Sequence, residues 1–172
     1  MTYDQVMMQL AAMVQKFGLA QSGIAGCQHS LGMWNKSLPD IVMTIPDMGF
    51  CHTSINDIYT HWCENGVTLG DDQPFMKERT RGQEFNCYFM EIDLDDRVSR
   101  SIMKSAFPHL FEFYERFPAL KGEGKHRVVH FILPNKYNQL PFDANYDFDS
   151  LPQALIGSAL DLVALEKFIA LR

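Results

Sequence analysis

The sequence is poor in the features that most quickly declare a function. Its four cysteines, Cys27, Cys51, Cys63 and Cys87, are widely and irregularly spaced, with no CxxC. A closed zinc site needs about four converging ligands, so no metal and no other cofactor is expected. The same spacing reads as free thiols in a cytoplasmic protein. Basic residues are in deficit: 15 Lys and Arg face 21 Asp and Glu, a net charge of -6. General nucleic-acid binding wants a basic footprint, so it is not expected. No apolar run approaches the roughly 20 residues of a membrane span. The N-terminal MTYDQVMMQL has no basic region before its apolar residues, so neither a signal peptide nor a membrane partner is expected. Internal repeats and low-complexity tracts are also missing.

What is present suits one folded domain spanning residues 1–172. Hydrophobic residues make up 47% and charged residues 21%, enough apolar surface for a core and too little charge for disorder. The ten methionines suit irregular core gaps or adaptable surfaces.

Periodicity supplies the elements. Thr2 can cap a first helix whose Val6, Leu10, Met13, Val14 and Phe17 form an apolar stripe, with Gly18 as its stop. A strand is expected from about Gly23 to Leu31, and Trp34–Ser37 reads as a loop. Asp40–Ile45 reads as a second strand, stopped by Pro46. Thr53 or Ser54 is then expected to cap a helix running to Asn65 and Gly66, with Ile55, Ile58, Tyr59 and Trp62 inward. Glu84–Asp93 reads as a strand with Phe85, Cys87 and Phe89 on one face and Tyr88, Met90 and Ile92 on the other. Asp95-Asp96 opens a helical region that Pro108 interrupts, and His109 to Phe117 continues it. Val128–Leu133 is a buried strand ended by Pro134-Asn135. Ser158-x-x-Asp161 caps a final helix over 158–172, with Leu162, Leu165, Phe168 and Ile169 as its stripe. The expected fold is α+β: a mostly antiparallel sheet flanked by helices.

Two stretches resemble a known family. Ser30-Leu31-Gly32-Met33 followed by Leu38-Pro39-Asp40-Ile41-Val42 is similar to a "TIGL…HPELV" element. Phe131-Ile132-Leu133-Pro134-Asn135, then Leu140-Pro141-Phe142-Asp143, then Gln153-Ala154-Leu155-Ile156-Gly157, is similar to "LVWPD…FPWD…QPLLG". Both belong to the bacterial and phage family called domain of unknown function four-two-six-two, and the resemblance covers roughly 23–157. Leu38 stands where the family has His, Asp40 where it has Glu, Phe142 where it has Trp and Asn135 where it has Asp. The resemblance implies no catalytic residue.

Candidate chemistry is spread along the chain. Cys27-x-His29, Cys51-His52 and His61-x-Cys63 invite a Cys–His nucleophile or metal reading, but none matches a nucleophile motif and the last pair diverges on a helix. Asp71-Asp72 and Asp95-Asp96 are adjacent, as in turns and helix starts, rather than spaced to converge. Two basic elements are more suggestive. Lys77, Arg79 and Arg81 alternate, so an extended chain would put them on one side. Lys121, Lys125, His126 and Arg127 surround two glycines, where backbone N–H groups and a guanidinium can meet an anion. Trp34, Phe142, Tyr146 and Phe148 fall in predicted loops and can either stack on a base or pin their loops to the core. Asn35, Asn145 and Gln153 add polar groups nearby.

No convergent catalytic set stands out. The function expected is therefore a non-enzymatic binding protein that sequesters a small anionic or nucleotide-like ligand, in a setting such as phage counter-defence. The expected ligand-binding residues are Trp34, Asn35, Arg79, Arg81, Lys125, Arg127, Phe142, Tyr146 and Gln153. One alternative is an inhibitor or adaptor of a host protein. Another is a hydrolase using Cys27, His29 or Asp143. The final helix either closes the core or pairs with a second copy to make a homodimer.

Overall fold

Thr2 begins the first helix as its spacing predicts. In the computed structural model, which describes residues 1–70, 87–151, 153, 155 and 156, its hydroxyl accepts from the Gln5 amide while the Gln5 side chain accepts from the Thr2 N–H. This capping box starts α1 (Tyr3–Phe17), and Gly18, in the left-handed region, ends it. The buried face is rotated from the expected stripe. Met7, Leu10, Ala11 and Val14 face the core, whereas Met13 and Phe17 are exposed. Ala11 carries no bulk, so the helix approaches the sheet on its side.

The strand expected over Gly23–Leu31 is in fact a hairpin. β1 (Ala20–Ile24) pairs antiparallel with β2 (Cys27–Leu31) across Ala25-Gly26. Gly26 takes φ 80°, which a tight hairpin turn requires and glycine supplies without strain. Trp34 to Lys36 lie in a 3-10 turn, Met33–Lys36. β3 (Asp40–Met43) follows where the pattern places a strand.

The cap of α2 (Met48–Asn65) is a second correction. Asp47, not Thr53 or Ser54, accepts from the Phe50 amide at 2.9 Å. The Thr53 and Ser54 hydroxyls lie inside the helix and donate back to Gly49 O and Phe50 O. The expected end at Asn65 and Gly66 holds. β4 (Tyr88–Glu91) is the described part of the Glu84–Asp93 strand. Asp96 caps α3 (Arg97–Ala106), and Pro108 then opens α4 (Pro108–Arg116) as its first residue.

β5 (Val128–Ile132) settles the topology. Among the described residues one five-stranded sheet forms, in the order β1-β2-β3-β5-β4. β5 runs parallel to β3 and antiparallel to β4; the other neighbours are antiparallel. The fold is thus α+β with a mostly antiparallel sheet flanked by helices. α1, α3 and α4 cover one face through Leu10, Val14, Met103, Leu110 and Phe113 against Leu31, Val42 and Val128. α2 covers the other through Ile55, Ile58 and Trp62 against Ile41, Val129 and Phe131. No helix among the described residues is long and apolar enough to cross a membrane.

This topology decides what meets at each end of β5. Asp40 is the register partner of Val128, and Glu91 that of Val129. The start of β3, the start of β5 and the end of β4 therefore lie side by side. The far end of β5 faces Tyr88, the partner of Ile132.

Candidate functional site

An acid at the first position of an otherwise apolar strand is costly unless something pairs it. Asp40 is fully buried, and four donors converge on its carboxyl. The Ser30 hydroxyl (2.9 Å) and the Met33 amide (3.3 Å) reach Oδ1, while the Tyr114 hydroxyl (2.5 Å) and His126 Nε2 (2.9 Å) reach Oδ2. That is the environment of an acceptor-only carboxylate. Ser30 and Tyr114 are themselves held: Ser30 Oγ accepts from the Ile41 amide, and the Tyr114 hydroxyl accepts from the Gly32 amide. Burial, and then the charge of Asp40, push the Tyr114 phenol far above its ordinary range, so it remains a donor.

His126 connects this buried acid to the surface. Its ring stacks on Trp34, with centroids 4.8 Å apart and planes 19° apart, and meets Tyr114 edge-on. Trp34 is fixed from behind: its indole N–H donates to Glu123 O, and a Cβ on Gly122 would lie 1.7 Å from the Trp34 carbonyl oxygen. Only glycine permits that approach. Asp40 occupies Nε2, so Nδ1 is the free nitrogen of the ring. Nδ1 bonds to no described residue.

Residues Glu91–Leu94 and Lys125–Arg127 line a cleft of about 230 Å³. Arg127 grips Glu91 bidentately, at 2.6 and 3.0 Å, and Lys125 pairs with Asp95. The Arg127 bond holds the Glu91 carboxyl below its usual range, and the same bond raises Arg127. All four side chains remain more than a third exposed, so these are surface pairs.

The expected ligand-binding residues separate into groups. Trp34, Lys125 and Arg127 gather around His126. Asn35 is exposed on the adjoining 3-10 turn. Phe142, Tyr146 and Gln153 lie at the opposite end of β5. Phe142 meets Tyr88 edge-on and is half exposed. The half-buried Tyr146 hydroxyl donates to Leu151 O. Gln153 is buried, accepting from the Leu133 amide and donating to the Leu133 carbonyl. Arg79 and Arg81, with Lys77, Asp71, Asp72 and the final helix, lie outside the described residues.

The cysteine-based alternative gains no support. Cys51 is buried and its thiol is pushed up to about 12 by burial, then by Asp47, the reverse of nucleophile activation. Cys27 and His29 are both buried in β2. The third candidate, Asp143, uses its carboxyl to accept from the Leu140 amide. Among the described residues no group of three or more His, Cys, Asp or Glu side chains is placed to hold a metal ion.

Sequence reasoning missed Asp40, Tyr114 and Ser30, and took His126 only as part of a basic run. Asp40 and His126 are 86 residues apart, so no local spacing links them. The available signal was Asp40 itself, a charge in an apolar strand with no local partner. Comparison with family models, curated proteins and solved structures finds no match for this chain.

Proposed function

We propose that this chain is a non-enzymatic binding protein that captures a small anionic, nucleotide-like ligand in the cleft beside His126. The observation that carries this reading is the pair of cations, Lys125 and Arg127, on one wall of this cleft. Ligand pockets commonly span about 300–1,000 Å³. At about 230 Å³ the cleft suits a phosphate-sized group, so it takes the phosphate end and leaves the rest outside. Exposed ion pairs contribute only about 0–1 kcal/mol. A phosphate monoester carries a charge of roughly -1.5 to -2 near neutral pH and offers three acceptor oxygens. It can therefore take Arg127 from Glu91 and Lys125 from Asp95 at little cost.

Isothermal titration against mono-, di- and trinucleotides, with inorganic phosphate alongside, tests the reading. Binding that Arg127→Ala weakens by about tenfold or more is expected. Absence of heat with every member, phosphate included, removes it.

A further inference from the structure

Lys125 and Arg127 stand in the connection that leads from a second 3-10 turn, Pro118–Leu120, into β5. That connection holds two glycines, Gly122 and Gly124, and glycine has the most backbone freedom to lose on ordering. Lys121, Glu123, Gly124 and Lys125 are exposed, whereas Gly122, His126 and Arg127 are partly buried. Gly122 and His126 are also where the connection meets Trp34. The Trp34 carbonyl closes on Gly122, whose missing Cβ would lie 2.9 Å from the indole Cδ1 as well. The indole N–H donates to Glu123 O at 3.3 Å, and the ring stacks on His126. Tyr114 of α4 backs the indole edge-on, with centroids 5.1 Å apart, so the clamp is itself anchored in the core. Successive side chains of an extended chain point to opposite sides. His126 turns inward to Asp40, while Arg127 turns to Glu91 and Lys125 to Asp95.

We propose that Trp34 is the positioning residue of the anion cleft. It touches no ligand; it holds residues 122–127 so that Lys125 and Arg127 line the cleft together before an anion arrives. The proposal rests on the binding reading above and names what orders its two cations. A connection with two glycines and no clamp would have to be ordered by the ligand, and that lost freedom is subtracted from affinity. With Trp34 in place the ordering is completed during folding. The indole grips the connection at residues 122, 123 and 126, on both sides of Gly124 and directly before Arg127. The same geometry reassigns Trp34 itself. One face of the ring expected to stack on a base is taken by His126.

Sulfate is the suitable probe, since its charge is constant near neutral pH. Its affinity is measured calorimetrically on the whole chain, and amide hydrogen exchange of the same samples reports the order of residues 122–127. Trp34→Leu should weaken sulfate by about tenfold and speed exchange over 122–127, while α1 and α2 exchange as before. Trp34→Phe keeps a ring for His126 and loses the N–H, so it should restore affinity to within about threefold of the unmodified chain. Gly122→Ala leaves the indole intact and drives the chain off the Trp34 carbonyl; it should reproduce Trp34→Leu in both measurements. If Trp34→Leu does not fold, Gly122→Ala decides alone. A Trp34 that served stability only would leave the affinity of the folded variants unchanged. Sulfate bound as tightly by Trp34→Leu or Gly122→Ala as by the unmodified chain therefore overturns the positioning role and leaves the binding reading standing, as does unchanged exchange over 122–127. No binding of sulfate, phosphate or any nucleotide by the unmodified chain overturns both.

Discussion

The two ends of β5 are built from similar materials and do opposite things. At the C-terminal end lie Asn135, Asp143 and Gln153, and their polar groups are consumed by the chain itself. Asn135 Oδ1 accepts from the Tyr137 and Gln139 amides, Asp143 accepts from Leu140, and Gln153 satisfies both the N–H and the C=O of Leu133. These are turn-making and strand-ending contacts. At the N-terminal end, Asp40 is equally saturated, by Ser30, the Met33 amide, Tyr114 and His126, and two exposed ion pairs lie beside it. The polar groups of one end thus support the backbone, while those of the other converge on a buried acid.

Removing the centre of the N-terminal end should have the largest effect. Asp40→Ala leaves the donors of Ser30, Met33, Tyr114 and His126 without their shared acceptor in a buried site. Breaking such an arrangement costs about 3–5 kcal/mol. Urea unfolding should show that loss; a change below about 1 kcal/mol would mean that water replaces the carboxyl and that the end is less sealed than its burial indicates.

The matching change at the other end is Gln153→Ala. It orphans both backbone groups of Leu133, at a cost of about 1–3 kcal/mol. The comparison becomes sharp when the same variant is titrated with sulfate. Affinity within about twofold of the unmodified chain keeps the ends separate. A tenfold loss, about 1.4 kcal/mol, would show that the C-terminal loop contributes to the site.

Between the ends sits His130, in the middle of β5, with His29 across the sheet in the same row as Val42. Both are fully buried, and neither ring nitrogen of His29 has a hydrogen-bond partner among the described residues. Desolvation drives both histidines down to about 3, with His109 adding to the effect at His29. Their folded forms resist protonation while the unfolded chain takes protons near the ordinary value of about 6.5. Stability is therefore fully present above that value and drains as pH falls toward 3, at about 1.4 kcal/mol per pH unit for each histidine. His29→Met should flatten the acid limb of the unfolding curve by about that slope; an unchanged limb would assign acid sensitivity elsewhere.

Much of this fold can be read in the sequence because its cues are local. Thr2 and Gly18 bracket α1 within a turn of the residues they serve, and the apolar run from Val128 declares a strand unaided. The misses occur where several local cues compete or where none exists. Asp47, Thr53 and Ser54 are all competent caps, and only the course of the chain after Pro46 selects the first. Leu10 and Val14 face inward as the period predicts, but packing against the sheet buries Ala11 and leaves Met13 exposed. The insertion of β5 between β3 and β4 is a non-local pairing, so the meeting of Asp40 with His126 had no spacing to announce it. The basic pair Lys125 and Arg127 is legible in the sequence, whereas its partners Asp95 and Glu91 lie some 30 residues away and have no spacing to announce them.

Those acids give the smallest and most discriminating test. Glu91→Gln removes an exposed partner of Arg127 and should change stability by less than about 1 kcal/mol. Its effect on binding should run the other way. Glu91 is one of two acids lining the cleft, and its loss leaves Arg127 unclaimed and tips the lining positive. Sulfate should bind several-fold more tightly to Glu91→Gln. A gain in affinity alongside a near-neutral stability change would identify Arg127 as a group lent to Glu91 until an anion arrives. If affinity instead falls, the Glu91–Arg127 pair is what shapes the cleft, and the N-terminal end resembles the C-terminal one: polar groups serving the fold alone.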